Sequence, residues 1–188
     1  MPNRKWLSIA LLPVMGCPLL AEPPAAEDSL HRELAAAERS IDGRFDNISA
    51  MTGSKPMPLR GVTRGGYLKG FGAVFTLQVS LVPVSNLSPF LRPTEEDKTQ
   101  LNLSKRQRVE DLQIRARTVL VEEGARLTRV PVKEKVALII SLFHYSWEDV
   151  TGLPSQLVMQ ARRQVLIDRQ AGRIDLPTLK SHLEVTYF

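Results

Sequence analysis

Apolar residues recur in the N-terminal part of the chain with the period of an α-helix. They lie at spacings of 4, 3, 4, 4 and 3, at Leu30, Leu34, Ala37, Ile41, Phe45 and Ile48. Such spacings place the side chains on one helical face. Glu27, Asp28 and Ser29 stand just before the stripe, where the positive end of a helix favours acidic and capping residues. The pattern predicts an amphipathic helix that packs on the rest of the domain or forms a coiled coil with a partner.

A strict alternation follows over residues 71–82. The apolar positions are Phe71, Ala73, Phe75, Leu77 and Val79. A period of two predicts a β-strand with one buried face, and Pro83 would end it. Tyr67 and Leu68 lie before Lys69 and Gly70, so we expect them to form a hairpin with this strand through a tight turn.

Later segments complete the predicted fold. Residues 104–125 carry a second helical stripe, and residues 136–147 are apolar or aromatic on both faces, as in a central strand. Leu157, Val158, Ala161 and Val165 favour a helix over residues 154–172. Residues 175–178 suit a capped turn, and residues 184–188 suit an edge strand. Residues 50–64 and 83–103 are rich in proline and polar residues and predict a linker and a long exposed loop.

This order of elements predicts an α+β fold. It contains an N-terminal helix, a β-hairpin, a helix, a strand, a helix and an edge strand, with the helices packed on one sheet of three to four strands. The length of 188 residues suits one domain. We expect a spacer, helix and linker over residues 22–62 and a small domain over residues 63–188.

The first residues are typical of a bacterial secretion signal. Arg4 and Lys5 precede an apolar stretch over residues 6–15 that is too short to span a bilayer. Cleavage after Ala21 and lipidation of Cys17 are the two processing routes that the sequence allows. The protein is therefore expected in the periplasm or tethered to a membrane as a lipoprotein.

The composition of the chain limits the kinds of chemical site that the domain can contain. Cys17 is the only cysteine, so the domain has no disulfide and no cysteine-based metal site. Removal of a signal over residues 1–21 leaves 23 basic and 20 acidic side chains, a balance of +3. None of the three histidines has a second ligand at metal-binding spacing, and no cofactor motif is present.

Two groups of polar residues are candidate sites. His144, Ser146, Glu148 and Asp149 lie at the end of the predicted central strand, where α/β proteins often place their sites. They are either weak catalytic candidates or residues of the core rim. Arg162, Arg163 and Arg169 are expected to face solvent, together with Arg115, Arg117, Arg126, Arg129 and Arg173. Such a surface would bind an anionic envelope component or an acidic protein, and we expect no nucleic acid outside the cytoplasm.

The Tyr67-Leu-Lys-Gly-Phe-Gly-Ala-Val-Phe segment resembles a motif of exported bacterial proteins, Tyr-Leu-x-Gly-Tyr-Gly-x-x-Phe, in which this hairpin follows a signal peptide and a helix. Phe71 stands in place of the second tyrosine. The resemblance extends to the Leu157-Val-Met-Gln-Ala-Arg-Arg-Gln segment. It implies export and the extent of the domain, and it implies no activity.

Three hypotheses remain for function. The first is a non-enzymatic envelope or periplasmic module that binds a protein or polymer. The second is a small hydrolase-like enzyme with its site near His144. The third is a structural homo-oligomer that associates through Leu30, Leu34, Ile41 and Phe45.

Overall fold

A computed structural model of the protein describes residues 24–47, 56–82 and 93–188. The predicted signal with Cys17 and Ala21, parts of the linker and residues 83–92 lie outside the described residues. The elements, in chain order, are α1 (Pro24–Asn47), β1 (Arg64–Leu68), β2 (Gly72–Val79), α2 (Glu95–Arg126), β3 (Lys135–Leu142), β4 (Gln156–Arg162), α3 (Arg163–Gln170), α4 (Leu176–His182) and β5 (Glu184–Tyr187).

The five strands form one mixed sheet in the order β1-β2-β3-β4-β5. Only β2 and β3 pair in parallel, because α2 connects them, and the other neighbours pair antiparallel. One face is buried under the helices, with Phe75, Leu138 and Met159 each at most 1% exposed. On the other face Thr76 and Gln78 are exposed. The predicted α+β class is confirmed. The sheet has five strands, whereas three to four were expected.

The predicted hairpin is confirmed. β1 and β2 pair from Leu68 opposite Gly72 to Arg64 opposite Thr76. Gly70 takes a φ of +84° in the turn, a value that favours glycine. Gly72 has a φ of +127°, and a Cβ there would lie 1.9 Å from the Lys135 carbonyl oxygen. The glycines therefore serve the turn and the close approach of β2 to β3.

The predicted helix over residues 154–172 is wrong in its first half, which forms β4. Leu157, Met159 and Ala161 alternate as buried residues, and Gln160 and Arg162 face the other way. This period of two competes with the helical spacing in the same segment. Pairing with both β3 and β5 decides in favour of the strand, and the helix begins only at Arg163.

The second helix is longer than predicted. α2 begins at Glu95, so the second part of the expected loop over residues 83–103 is helical. Thr94 and Asp97 form a reciprocal capping box, and acidic residues fill the first turn. These polar residues resemble a loop in composition, although they are the start signal of the helix.

The N-terminal helix packs on the domain, which was one of the two predicted alternatives. Leu34, Ala37, Ile41 and Phe45 are at most 7% exposed and belong to the same core as the sheet residues. Leu30 is partly buried against that core. The stripe proposed for self-association is thus covered by its own chain.

The central strand β3 lies in the middle of the sheet as predicted, but it ends at Leu142 instead of Trp147. Residues 143–155 form a connection to β4 without helix or strand. This connection, called the 143–155 loop below, carries the predicted histidine site.

Candidate functional site

His144 lies in a closed polar cluster beneath the 143–155 loop. Its Nδ1 is 3.4 Å from Lys105 Nζ and 3.5 Å from Glu148 Oε2, and its Nε2 is 3.4 Å from the Pro154 carbonyl oxygen. Lys105 and Glu148 form an ion pair with side chains only 1% and 2% exposed. Lys105 also donates to the Phe143 carbonyl oxygen at 3.3 Å. Lys105 thus holds the loop at Phe143 and Glu148, and His144 holds it at Pro154.

The remaining catalytic candidates do not converge on His144. Ser146 is exposed, and Asp149 accepts a hydrogen bond from the Thr151 backbone N–H at 2.9 Å. The hydrogen bonds from Thr151 lower the pKa of the Asp149 carboxyl. Asp149 therefore shapes the loop, and the described residues show no nucleophile, base and acid arranged for hydrolysis.

The expectation that Arg163 faces solvent is wrong. Its side chain is buried and donates to the Val130 carbonyl oxygen at 3.0 Å and the Ala125 carbonyl oxygen at 3.3 Å. Burial lowers the pKa of its guanidinium. Arg169 donates to the Ile174 carbonyl oxygen at 3.1 Å, and Arg162 alone of the three is exposed. Arg163 thereby supplies a partner to Ala125 in the last turn of α2, where carbonyl groups lack one within the helix.

Other arginines of the predicted basic surface also have internal partners. Arg115 is buried and donates to the Phe45 carbonyl oxygen at 3.3 Å, near the end of α1. Arg126 pairs with Glu123, and Arg173 pairs with Asp168. Arg115 and Arg163 are therefore not part of a basic surface, whereas Arg126, Arg129, Arg162 and Arg173 are exposed.

Three polar residues of α2 anchor the 143–155 loop. Asn102 donates to the Asp149 carbonyl oxygen at 2.7 Å, Arg106 donates to the Thr151 carbonyl oxygen, and Lys105 binds Glu148. Spacings of three and four residues place them on one side of the helix. The loop is thus held to α2 along much of its length.

The outer part of the anchored loop carries an aromatic cluster. Tyr145 stacks on Trp147 with centroids 5.5 Å apart and meets Phe143 edge-on at 4.8 Å. The Arg60 guanidinium lies 4.5 Å from the Phe143 centroid and donates to the Tyr145 hydroxyl at 2.9 Å. Cation–π and stacking contacts stabilise this arrangement. The cluster joins the loop to the chain that precedes β1.

A groove of about 610 Å³ lies between α2, this loop and β5. We call it the β5 groove. Its walls combine apolar and polar side chains, namely Arg106, Val109, Glu110, Gln113, Gly152, Leu153, Pro154, Tyr187 and Phe188. Tyr187 is 42% and Phe188 is 67% exposed. Partial burial raises the pKa of the Tyr187 phenol. A concave apolar surface with a few polar groups is the usual form of a binding site.

A second groove, of about 420 Å³, lies between α2 and the α3–α4 region, with Ile114, Arg117, Arg169 and Leu176 among its lining residues. Arg169 is committed to Ile174, and no exposed aromatic residue lines this groove. The β5 groove is the larger of the two in volume, and its walls include the exposed aromatic residues Tyr187 and Phe188.

Sequence reasoning missed the β5 groove, although one signal was available. The apolar stripe of α2 passes through Leu112, Ala116 and Val119, and the same face carries Asn102 and Lys105 toward the N-terminus. Polar residues at core positions of a helix need buried partners. That pattern predicts a buried polar contact of α2 with another segment, although it does not identify Glu148 as the partner.

Within the described ranges, no cluster of three or more histidine, cysteine, aspartate or glutamate residues could hold a metal ion. None of the described helices combines the length and apolar character needed to cross a bilayer.

Comparison with protein-family models, with curated proteins and with solved structures finds no match for this chain. The resemblance of the Tyr67 hairpin to exported bacterial proteins therefore stays a prediction.

Proposed function

We propose that this chain is an exported, non-enzymatic interaction module that binds a protein partner in the β5 groove. The observation that carries the proposal is the exposed pair Tyr187 and Phe188 at the mouth of a mixed apolar and polar groove. Aromatic residues are enriched at protein interfaces because they bury large areas with few rotatable bonds.

The closed state of the His144 cluster supports binding rather than catalysis. Its ion pair is almost fully covered, and its polar atoms hold backbone groups of the loop. A catalytic group must instead reach a substrate. The cluster therefore supports the part of the loop, Gly152, Leu153 and Pro154, that forms one wall of the groove.

Export is supported by the first residues of the chain. Arg4 and Lys5 followed by the apolar residues 6–15 match the charged and apolar regions of a secretion signal. A protein partner within the cell envelope fits this location. The buried and internally paired arginines give less support to an anionic polymer.

Site-specific photo-cross-linking in the native cell envelope tests this proposal. A photoreactive amino acid replaces Phe188 in the groove or, as the control, Val132, which is 42% exposed between α2 and β3 at the other end of the sheet. We expect a discrete protein adduct from position 188 and none from position 132. Gln113→Trp fills the groove from the α2 side and should abolish the adduct. Equal adducts from both positions, or none from position 188, would overturn the proposal.

A further inference from the structure

Among the described residues, β5 is an edge strand that pairs only with β4. It pairs with β4 from Tyr187 opposite Leu157 to Glu184 opposite Gln160. Phe188 donates to the Gln156 carbonyl oxygen at 3.0 Å and its carbonyl oxygen accepts from the Gln156 N–H at 3.3 Å, which marks a hydrogen-bonded pair. Because such pairs alternate along an antiparallel ladder, the N–H and C=O groups of Val185 and Tyr187 point away from β4.

Within β5 itself, no free charge opposes pairing with another strand. Edge strands commonly carry lysine or other charges that prevent pairing. The one charged residue of β5 is Glu184, and it is bound within the chain by Lys135 at 2.9 Å and by Gln160 at 2.6 Å. The two residues whose backbone groups point away from β4 are the apolar Val185 and the aromatic Tyr187. Tyr187 also lines the β5 groove.

We infer that the partner in the β5 groove is a second copy of this chain, joined by antiparallel pairing of the two β5 strands. This inference rests on the proposed function of the groove. A two-fold axis at Thr186 places Val185 opposite the partner's Tyr187, and each pair exchanges two backbone hydrogen bonds. The result is one continuous sheet of ten strands, five from each copy.

The chemistry of the edge is complementary to itself. In this register the outward backbone groups of both Val185 and Tyr187 find partners, and an apolar residue meets an aromatic one on the helix side. Arg106 and Glu110 give the α2 wall of the groove one charge of each sign, so two copies meet without net repulsion. Tyr187 is covered by Val185 of the other copy on both sides of the axis, as in an isologous interface.

Light scattering on the purified protein, over a wide range of concentrations, tests the inference with a matched pair of variants. Thr186 and Thr76 are both exposed threonines on the helix-free face of the sheet. Thr186→Lys places two like charges directly opposite each other across the two-fold axis, whereas Thr76→Lys lies on an inner strand. We expect dimers for the wild type and for Thr76→Lys, and dissociation at least about tenfold stronger for Thr186→Lys.

Disulfide trapping provides an independent readout of the register. Directly opposed residues of a non-hydrogen-bonded antiparallel pair have Cα atoms about 4.5 Å apart, which is within the range for a disulfide. Thr186→Cys should therefore oxidise to a covalent dimer, and Thr76→Cys should not. Cys17 is common to both variants, so it cannot explain a difference between them.

The outcomes separate this inference from the proposed function. A monomeric wild type, or a dimer that Thr186→Lys leaves intact, overturns the inference. If position 188 then cross-links to a different protein, the proposed function stands and only the identity of the partner is wrong. An adduct with the mass of two chains supports both.

Discussion

The two edges of the sheet are treated differently by the rest of the chain. At the β1 edge, Glu38 of α1 accepts a hydrogen bond from the Gly65 N–H at 2.6 Å, and Asp42 accepts one from the Thr63 N–H at 2.9 Å. At the β5 edge, the outward N–H and C=O groups of Val185 and Tyr187 have no hydrogen-bond partner among the described residues. The β1 edge thus receives carboxylates from a packed helix, and the β5 edge receives none from the described residues.

The difference shows what α1 does for the fold. Its apolar side enters the core through Ile41 and Phe45, which are 1% and 0% exposed. Its carboxylates then reach the backbone of the β1 edge. A helix that could have been an exposed docking element instead covers the β1 edge, and the association that we propose is at the β5 edge.

Removal of the Phe45 ring from the core should have the largest effect on the packing of α1, and therefore on its cover of the β1 edge. Phe45→Ala leaves a cavity where a fully buried ring stood, and we expect the free energy of unfolding to fall by about 4 kcal/mol. Urea denaturation measures this change. His31→Ala, on the exposed side of the same helix, should change stability by less than about 0.5 kcal/mol. A small effect at Phe45 would mean that α1 is not part of the cooperative unit.

Breaking the buried ion pair between Lys105 and Glu148 tests how the 143–155 loop, which forms one wall of the β5 groove, is stabilised. Lys105→Met leaves the Glu148 carboxylate buried without its cation, and we expect a loss of about 3 kcal/mol in the free energy of unfolding. Lys98→Met is the control, because Lys98 pairs with Glu95 in the exposed first turn and should change stability by less than about 1 kcal/mol.

A double substitution distinguishes the cost of an uncompensated buried charge from the cost of altered side-chain packing at this pair. Adding Glu148→Gln to Lys105→Met removes the uncompensated charge, so part of the lost stability should return. If the double variant is as unstable as the sum of the single variants, the pair does not act as a unit and the loop is held by its other contacts.

Local periodicity was enough to predict the elements that have one dominant pattern. The helical stripe of α1 and the alternation in β2 each have one clear period, and the hairpin glycines have a steric reason that is visible in the sequence. β4 was mistaken because Leu157, Val158, Ala161 and Val165 fit a helical face, while Leu157, Met159 and Ala161 fit a strand. Pairing with two neighbouring strands decides such a case, and one segment alone does not reveal it.

The candidate site was less accessible to sequence reasoning because it depends on distant contacts. Lys105 and Glu148 are 43 residues apart in the chain, and nothing local to either residue indicates the other. His144 was predicted within the end of the central strand, whereas it lies two residues beyond the end of β3, and its contact with Lys105 was not predicted. Tyr187 and Phe188 belong to a predicted edge strand, and only the position of α2 turns that edge into a groove.

The carboxylate at the β1 edge offers a smaller test. Glu38→Ala leaves the Gly65 N–H without its acceptor, and we expect a loss of about 1 to 2 kcal/mol. Hydrogen exchange at Gly65 should accelerate in the same variant. Glu38→Gln keeps an acceptor oxygen and is the matched control, with an expected loss smaller than that of Glu38→Ala. Unchanged exchange in Glu38→Ala would show that α1 does not close this edge through Glu38.

The smallest expected effect concerns the one charge on β5. The hydrogen bond from Lys135 lowers the pKa of the Glu184 carboxyl, so the folded state favours its ionised form. This contribution is present above the unfolded pKa of about 4.3 and is lost as the pH falls through the lower folded pKa. The stability difference between wild type and Glu184→Gln should therefore shrink on acidification. Chemical denaturation of both proteins at neutral and acidic pH measures it, and other acidic residues cancel because both proteins carry them. A difference that stays constant with pH would mean that Lys135 does not neutralise Glu184, and the β5 edge would then carry a free charge that opposes pairing.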